Sequence, residues 1–486
     1  MESDIDTTPL AWLDEVERQR TGAGLRRSLR TRSPVGAEVD LASNDYLGLS
    51  QHPAVIDGGV QALRTWGAGS TGSRLVTGNT ELHEEFEDAL AEFVGSPSAL
   101  VFSSGYTANL AAVVALSGPG SLVVSDARSH ASLVDACRLS RARVVVTPHR
   151  EVGAVEAALA SRGERRAVVI TDSVFSADGS LAPLLALHEV CRRHGALLIV
   201  DEAHGLGVRG DGGRGLLHEV GLAAASDVVM TATLSKALGS QGGVVLGPQA
   251  VRDHLIDSAR PMIFDTGLAP AALGAALAAL RVLITEPDRP QKVLRKAAAL
   301  ADSCGVADRP DSAVVSVILG AAEVALAAAT ECLEHGVRVG CFRPPSVPPG
   351  SSRLRLTARA SLSDDELDTA TRVLTEVLST ARARASWLSP APTPASGRRS
   401  RRPRWPAAPG SPASRWWCAN PCRPAPPRVT TISPRSCGCR ASTASSDRGA
   451  IRSRLLRSPR RNGLAFPFRT GSNWMCCCAS STIPVN

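Results

Sequence analysis

Short apolar runs alternate with helix-compatible stretches between residues 98 and 247 of this 486-residue chain. Several runs are almost entirely apolar, which is typical of strands buried on both faces of a mainly parallel sheet. Stretches with helical periodicity lie between them, for example 107–117 and 184–194. This alternation predicts an α/β layered domain whose site lies at the carboxyl ends of the strands. The predicted strands are 99–103, 122–125, 143–147, 167–171, 197–201, 228–233 and 243–246.

A different pattern follows, and it predicts a smaller α+β domain. Two strand-like runs, 314–319 and 337–342, flank an Ala-rich helical stretch, and a third run follows in SSRLRLTA. Ser363 and Glu366 form a capping-box signal for a last amphipathic helix that ends near residue 383. The predicted segments are an N-terminal helix and arm (1–45), a major domain (46–268), and a connector helix with the small domain (269–385).

The composition changes abruptly at about residue 386. From there the chain has 17 arginines, no lysine and a single acid, so residues 386–486 carry a charge of +16 and residues 1–385 carry −8. The segment shows neither helical nor strand periodicity, which predicts a disordered tail. We interpret it as an out-of-frame or read-through translation of GC-rich coding sequence. The acidic remainder gives no electrostatic reason to expect nucleic-acid or membrane partners.

Cysteine usage and hydropathy bear on the location of the protein. Five of the 12 cysteines lie scattered before residue 385 without a CxxC pair, and the start of the chain is acidic rather than signal-like. No apolar stretch reaches the roughly 18 residues that a membrane span requires. We therefore expect a cytoplasmic protein. The seven tail cysteines have no tail histidine to accompany them, so zinc binding is disfavoured and no metal site is predicted.

Lys236 lies 35 residues after Asp201, and each follows a predicted strand. Asp201 closes the run LLIVD, and Lys236 follows the run DVVMTAT in the segment TLSKALG. Enzymes that use pyridoxal phosphate (PLP) as an electron sink need an amine for a Schiff base with the cofactor and a carboxylate that keeps its pyridine nitrogen protonated. Each residue alone fits a solvated loop or an ordinary strand end. Their combination predicts a PLP site.

Further strand ends carry residues suited to such a cofactor. Gly105 and Tyr106 lie between a strand and a helix, where free amides favour a phosphate and the tyrosine ring can lie against the cofactor, although an ordinary βα turn has the same residues. His130 either stacks on the pyridine ring or hydrogen-bonds near a helix start. Ser176 and His204 lie three to five residues past strand ends and suit the phenolic oxygen of the cofactor, with turn chemistry as the alternative.

Two other motifs have competing interpretations. In the predicted small domain, Arg343, Ser346 and Arg355 can supply donors for a substrate carboxylate, and a charged strand edge is the alternative. Residues 67–72 spell GxGxxG, but a predicted helix precedes them and no ribose-binding acid is evident. A glycine-rich wall of the site is therefore favoured over a dinucleotide site.

Collectively, these motifs resemble the α-oxoamine synthases, PLP enzymes that condense an amino acid with an acyl-CoA and release CO2. The resemblance covers about residues 8–385. It implies the aminotransferase-like fold type I of PLP-dependent transferases, an α/β major domain with a mainly parallel sheet plus a smaller C-terminal α+β domain. The motifs, in the family's order, are LASNDYLGLS, GSTGSRLVTG, FSSGYTAN, SHASL, DSVFSADG, DEAHG, TLSKALG and FRPPSVPPGSSRLRLT.

The resemblance also implies roles for individual residues. Lys236 would hold PLP covalently, Asp201 would pair with the pyridinium nitrogen, and His130 would stack on the ring; these three are the predicted catalytic residues. The family commonly has Thr at the position of Ser346, a change that keeps the hydroxyl. The other predicted cofactor-binding residues are Gly105, Tyr106, Ser176, His204 and Thr233. The predicted substrate-binding residues are Arg26, Asn44, Ser346 and Arg355.

Within the family, the sequence is most similar to members that condense L-alanine with pimeloyl-CoA, or with a pimeloyl carrier protein, in biotin biosynthesis. The activity of 2-amino-3-ketobutyrate CoA ligase, which uses glycine and acetyl-CoA with the same catalytic set, is the alternative. A non-enzymatic protein that binds polyanions through the basic tail is a third hypothesis, disfavoured by the intact pair of Lys236 and Asp201. The resemblance also implies a homodimer with its site between the subunits.

Overall fold

The computed structural model describes residues 8–29, 31–33, 36 and 38–388. Residues 386–388 of the predicted tail belong to the last helix, so the predicted start at residue 386 is three residues too early. The rest of the predicted tail, with its arginines and cysteines, lies outside the described residues. The strands of the structure are β1 (Val39–Leu41), β2 (Ser98–Phe102), β3 (Ser121–Asp126), β4 (Arg143–Thr147), β5 (Arg166–Asp172), β6 (Leu197–Asp201), β7 (Val228–Thr233), β8 (Gly243–Gly247), β9 (Val314–Gly320), β10 (Val337–Phe342) and β11 (Ser352–Thr357). Its α-helices are α1 (Trp12–Gly22), α2 (Pro53–Trp66), α3 (Glu81–Val94), α4 (Gly105–Leu116), α5 (Ala131–Ser140), α6 (Val152–Ala160), α7 (Leu184–Arg193), α8 (Leu216–Glu219), α9 (Gln249–Ser258), α10 (Arg260–Phe264), α11 (Pro270–Thr285), α12 (Arg289–Ser303), α13 (Ala322–Glu334) and α14 (Asp364–Leu388).

A seven-stranded sheet contains β2 to β8 in the order β2, β8, β7, β6, β5, β3, β4. Neighbouring strands are parallel, except that β8 runs antiparallel to both β2 and β7. The bounds of all seven agree with the predicted strands to within about one residue. The prediction of a mainly parallel sheet is therefore confirmed, with β8 as the antiparallel element that the apolar pattern does not distinguish.

Both faces of this sheet are buried, which explains the apolar runs in the sequence. In β6, Ile199 packs into a core with α4 and α5, whereas Leu198 and Val200 pack into the larger core on the opposite face with α3, α7 and α11. Successive side chains of a strand point to opposite faces, so a strand covered on both sides needs apolar residues at every position. Only the carboxyl ends are left for polar chemistry.

A four-stranded sheet with the order β1, β10, β11, β9 follows the predicted α+β pattern. The three strands β9 to β11 were predicted, whereas β1 was not; it is three residues long and pairs in parallel with β10. The capping box is confirmed, because the N–H of Glu366 donates to Oγ of Ser363 over 3.1 Å and the N–H of Ser363 donates to Oε2 of Glu366 over 2.7 Å. The division of the chain into a major and a small domain stays a prediction.

Three further findings concern only the described part of the chain. No single helix there is long and apolar enough to cross a membrane; α11 and α12 meet the length and hydropathy criteria only as a pair, which is bent by 83°. No group of three His, Cys, Asp or Glu side chains in the same residues could hold a metal ion. Cys137, Cys191, Cys304 and Cys332 are buried free thiols.

Candidate active site

Lys236 lies in the turn after β7, which ends at Thr233. Its Nζ is 3.0 Å from Nε2 of His204, in the turn after the neighbouring strand β6. Desolvation lowers the pKa of Lys236 to about 8, against the opposing charge of Asp201 and with a further contribution from Arg355. A lysine with this pKa has a neutral amine available near physiological pH, which covalent chemistry requires.

The carboxylate of Asp201 is buried at the end of β6 and is held by two donors. Its Oδ2 accepts a hydrogen bond of 2.7 Å from Nδ2 of Asn109, and its Oδ1 accepts one of 2.9 Å from the N–H of Ala203. Thr231 donates to Oδ1 of Asn109 over 2.6 Å and so fixes the orientation of the amide. The carboxylate is therefore held in place, as a partner for a pyridinium nitrogen must be.

His130 is the N-cap of α5. Its backbone N–H donates to Oδ2 of Asp172 over 3.0 Å, and its Nδ1 lies 2.7 Å from Oγ of Ser132. The alternative of hydrogen bonding at a helix start is therefore confirmed, and stacking on a cofactor stays a prediction. Burial lowers the pKa of His130 despite the opposing carboxylate of Asp201. The ring is consequently neutral at physiological pH, the form that suits stacking on a cationic pyridine.

The N-terminus of α4 closely approaches the end of β7. A Cβ atom at Gly105 would lie 3.0 Å from Cβ of Thr233, so a larger residue would require the Thr233 side chain to shift by a few tenths of an ångström. Ser104 caps the helix, because its Oγ accepts from the N–H of Thr107 over 3.1 Å. The remaining free amides at the start of this helix suit a phosphate group.

Arg355 lies on β11 with 4% of its surface exposed. Its Nε donates to the backbone carbonyl of Ser176 over 2.7 Å, and its Nη1 donates to Oδ1 of Asn44 over 3.0 Å. No carboxylate of the described residues pairs with it. Because a buried guanidinium without a counter-ion is costly, an anionic substrate group would stabilise it. β11 has neighbours on both sides, so the strand-edge interpretation is wrong for Arg355.

Tyr106 and Arg26, both predicted as site residues, make their polar contacts away from the group around Lys236 and Asp201. Tyr106 donates to the carboxylate of Asp135 on α5, and 42% of the tyrosine is exposed. Nε of Arg26 lies 2.8 Å from Oε1 of Glu17, and both side chains of this pair are exposed. The cofactor role of Tyr106 and the substrate role of Arg26 stay predictions.

Ser346 is exposed in the loop after β10 and contacts the N-terminal arm. Nη2 of Arg27 lies 3.4 Å from its Oγ, and Arg343 in the same loop donates to the carbonyl of Gly24. The arm therefore reaches this loop through Arg27 rather than Arg26. The segment LRRSLR contains adjacent arginines, and no pattern in it distinguishes which of them faces the loop.

The sequence did not single out Asn109 or Tyr46. Asn109 is a polar residue inside the largely apolar helix α4, and this contrast was the available signal. The hydroxyl of Tyr46, completely buried, lies 2.5 Å from Nδ1 of His204 and 3.3 Å from Oδ1 of Asn44. Burial lowers the pKa of His204 well below its usual value, and the charge of Lys236 lowers it further. The imidazole is therefore neutral.

The GxGxxG segment, residues 67–72, follows α2 as predicted and not a strand. Ser70 donates to the carbonyl of Leu268 over 2.6 Å, and the N–H of Gly267 donates to the carbonyl of Gly72 over 2.9 Å. The segment thus packs against the chain just before α11. The interpretation as a dinucleotide site is excluded by this context, because that fingerprint must follow a strand.

The arrangement fits PLP, since Lys236 supplies an amine, Asp201 a fixed carboxylate and α4 the amides for a phosphate. The profile of the family described as aminotransferase class I and II matches residues 37–374, more than half of the chain. The chain belongs to this family. Within it, the 8-amino-7-oxononanoate synthase of Mycolicibacterium vanbaalenii is 80% identical over 375 residues, which are 77% of this chain and 99% of that protein. The enzyme of the same name from Mycobacterium bovis is 76% identical over 378 residues, 78% of this chain and 98% of the relative.

Solved structures agree with this assignment. A serine palmitoyltransferase from Sphingomonas wittichii is 30% identical with a TM-score of 0.73, over 77% of this chain and 99% of the other. A high-resolution structure of SPT with PLP has the same TM-score at 29% identity, over 77% and 99% of the two chains. An 8-amino-7-oxononanoate synthase from Francisella tularensis is 27% identical with a TM-score of 0.61, over 71% and 98%. The predictions of an α-oxoamine synthase and of fold type I are confirmed.

Proposed function

We propose that this protein is a PLP-dependent acyltransferase that condenses L-alanine with a pimeloyl thioester, yielding 8-amino-7-oxononanoate, CO2 and the free thiol, in biotin biosynthesis. The observation that carries the proposal is the 76–80% identity to 8-amino-7-oxononanoate synthases over nearly their whole length. The buried pair of Lys236 and Asp201 supports it, because PLP requires both groups. PLP is the cofactor.

Lys236 and Asp201 divide the proton chemistry. PLP, when bound, supplies the electron sink that stabilises negative charge on the substrate α-carbon. Lys236 would hold the cofactor, and its Nζ would accept the α-proton of bound L-alanine, because a pKa of about 8 keeps a useful fraction of the amine neutral. Asp201 keeps the pyridine nitrogen protonated throughout.

Arg355 binds the carboxylate of L-alanine. The guanidinium is held by acceptors on Ser176 and Asn44, and it lies close enough to Lys236 to lower the pKa of the amine. The same arrangement disfavours substrates without a carboxylate, because the buried guanidinium would stay unpaired.

A related reaction with other substrates is the second candidate. The activity of 2-amino-3-ketobutyrate CoA ligase would use the same Lys236, Asp201 and Arg355, so the geometry of these residues does not discriminate between the two. The names of the most similar relatives favour the pimeloyl reaction. The hypothesis of polyanion binding concerns the arginines of the tail, which lie outside the described residues.

A homodimer in the cytoplasm is part of the proposal. Apolar side chains are exposed on one face of α2, at Ile56, Leu63 and Trp66, and in the following loop at Leu75 and Val76. A surface with this many exposed apolar side chains close together in the sequence supports a subunit interface. The free thiols of the four buried cysteines, Cys137, Cys191, Cys304 and Cys332, support a reducing compartment.

A product assay across substrate pairs tests the proposal. L-Alanine, glycine and L-serine are each combined with pimeloyl-CoA, a pimeloyl carrier protein and acetyl-CoA, and products are identified by mass spectrometry. We expect 8-amino-7-oxononanoate from L-alanine with a pimeloyl donor and at most traces from the other pairs. Preferred formation of 2-amino-3-ketobutyrate from glycine and acetyl-CoA would overturn the substrate assignment. The Lys236→Ala variant is the control for uncatalysed condensation.

A further inference from the structure

A continuous chain of hydrogen-bonding groups joins Lys236 to Arg355. Nζ of Lys236 lies 3.0 Å from Nε2 of His204, and Nδ1 of His204 lies 2.5 Å from the hydroxyl of Tyr46. That hydroxyl lies 3.3 Å from Oδ1 of Asn44, which accepts from Nη1 of Arg355 over 3.0 Å. The chain links the amine that holds the cofactor to the guanidinium that binds the substrate carboxylate.

The hydroxyl of Tyr46 is the link whose direction can change. A hydroxyl has one proton to donate and two lone pairs to accept with. It can donate to Asn44 while accepting from His204, or it can donate to His204 instead. Because Tyr46 is completely buried, bulk water does not replace either partner. Nδ1 of His204 thus keeps a hydrogen bond in both arrangements.

The group beside Nε2 of His204 decides between the two arrangements. An ammonium group only donates, so a charged Lys236 requires a lone pair on Nε2 and puts the imidazole proton on Nδ1. Nδ1 then donates to Tyr46, and Tyr46 donates to Asn44. When a hydrogen-bond acceptor replaces the ammonium group, the proton belongs on Nε2, and Tyr46 must donate to Nδ1.

The second arrangement changes the surroundings of Arg355. Once Tyr46 donates to His204, Oδ1 of Asn44 no longer accepts from the hydroxyl and is left to the guanidinium. A change at Lys236 is therefore felt at Arg355 through three intervening side chains, each of them hydrogen-bonded to the next.

We propose that Tyr46 is a positioning residue that holds His204 in either tautomer and so couples the state of Lys236 to the orientation of Arg355. The part that concerns Arg355 rests on the proposed function, whereas the effect on the tautomer of His204 does not. A tyrosine that serves packing alone would be replaced by phenylalanine without consequence, since only the oxygen is lost.

The tautomer of His204 in the cofactor-free protein is the first measurement. The full chain is labelled with [15N]histidine, and the signal of His204 among the 10 histidines is assigned by its loss in His204→Gln. About one pH unit below the pKa of Lys236, we expect a protonated Nδ1 and an unprotonated Nε2. A protonated Nε2 under these conditions would overturn the proposal. This result needs no variant of Tyr46 to fold and no substrate.

The Tyr46→Phe variant supplies the second measurement. We expect its His204 signal to shift toward a mixture of tautomers, because Nδ1 has lost its partner. Ser98→Ala is the matched control, since Ser98 is also a buried hydroxyl with one hydrogen bond, 2.8 Å to the carbonyl of Gly247, at the opposite end of a strand from the site. An unchanged His204 signal in Tyr46→Phe would show that Tyr46 only fills space.

The holoenzyme tests the coupling to Arg355. In Tyr46→Phe we expect the pH midpoint of the visible absorbance of bound PLP to move, and we expect the dissociation constant of L-alanine to lose the change that it shows across this midpoint in the wild-type protein. Ser98→Ala should change neither. A moved midpoint with an unchanged pH dependence of L-alanine binding would overturn the coupling. Failure of the pimeloyl reaction would leave the tautomer result intact, so the two proposals fail separately.

Discussion

Asp172 and Asp201 occupy paired positions on the adjacent parallel strands β5 and β6. Both are buried, but they are held differently: Asp201 accepts from Asn109 and Ala203, whereas Asp172 accepts from the N–H of His130. Burial, and then the neighbouring charge of Asp201, raise the pKa of Asp172 well above its usual value. Asp172 therefore takes up a proton at a higher pH than an ordinary aspartate does.

Replacing Asp201 by Asn removes this charge while keeping the shape. We expect exchange of the α-proton of L-alanine with solvent to slow by at least about a hundredfold, as when a preorganised electrostatic group is lost. Deuterium exchange followed by NMR measures it. Asp172→Asn is the matched control and should lose less than about tenfold, because burial already favours the neutral form of this carboxyl. Exchange at nearly the wild-type rate in Asp201→Asn would refute the pairing with the pyridine nitrogen.

Lys236→Ala should abolish both turnover and the visible absorbance of bound PLP, because no other amine lies at this site. The chain contains only three lysines, at positions 236, 292 and 296, so borohydride reduction followed by peptide mapping has few outcomes. Lys292→Ala is the control, since Lys292 forms an exposed pair with Asp288 and should keep full activity. A pyridoxyl group on Lys292 or Lys296 in the wild-type protein would disprove the assignment.

The lowered pKa of Lys236 predicts how the attachment of PLP depends on pH. Only the neutral amine attacks an aldehyde, and its fraction grows as the pH rises through the pKa. The rate constant for attachment to the cofactor-free protein should therefore rise with pH. The midpoint of this rise should lie at about pH 8 and not at 10.5, the pKa of an ordinary lysine. Stopped-flow absorbance measures this profile. A midpoint near the ordinary value would mean that the amine is solvated.

The tail is expected to be dispensable, because α14 completes the layer of helices that packs on the four-stranded sheet before the acid-poor segment begins. Since α14 extends to Leu388, the cut belongs after that residue. The shortened chain should keep its PLP content, dimerisation and kcat, and should lose the salt-dependent affinity for polyanions that a charge of +16 confers. Loss of folding or of acyl-substrate binding in the shortened chain would make the tail part of the enzyme.

The sequence predicted the sheet and much of the site because burial of the strands on both faces explains both the apolar runs and the polar residues at their ends. Strands buried on both faces must be apolar throughout, so the first polar residue at the carboxyl end of each one, such as Asp201, marks the edge where chemistry occurs. This reasoning did not identify Tyr46 and Asn109, since neither lies at the carboxyl end of a strand of that sheet. Their partners His204 and Asp201 also lie far away in sequence. Contacts of the arm, such as that of Arg27 with Ser346, depend on tertiary packing that no periodicity encodes.

The pairing of β1 with β10 has a consequence for how the protein is made. Val39 pairs with Val337, so the partner of the first strand is synthesised about 300 residues later. At roughly 5–20 residues per second, β1 waits about 15–60 seconds with an open hydrogen-bonding edge. The first strand to be synthesised can therefore join its sheet only after almost all of the catalytic chain has emerged. A nascent chain interrupted before β10 cannot form that sheet, so incomplete products expose this edge to chaperones and proteases.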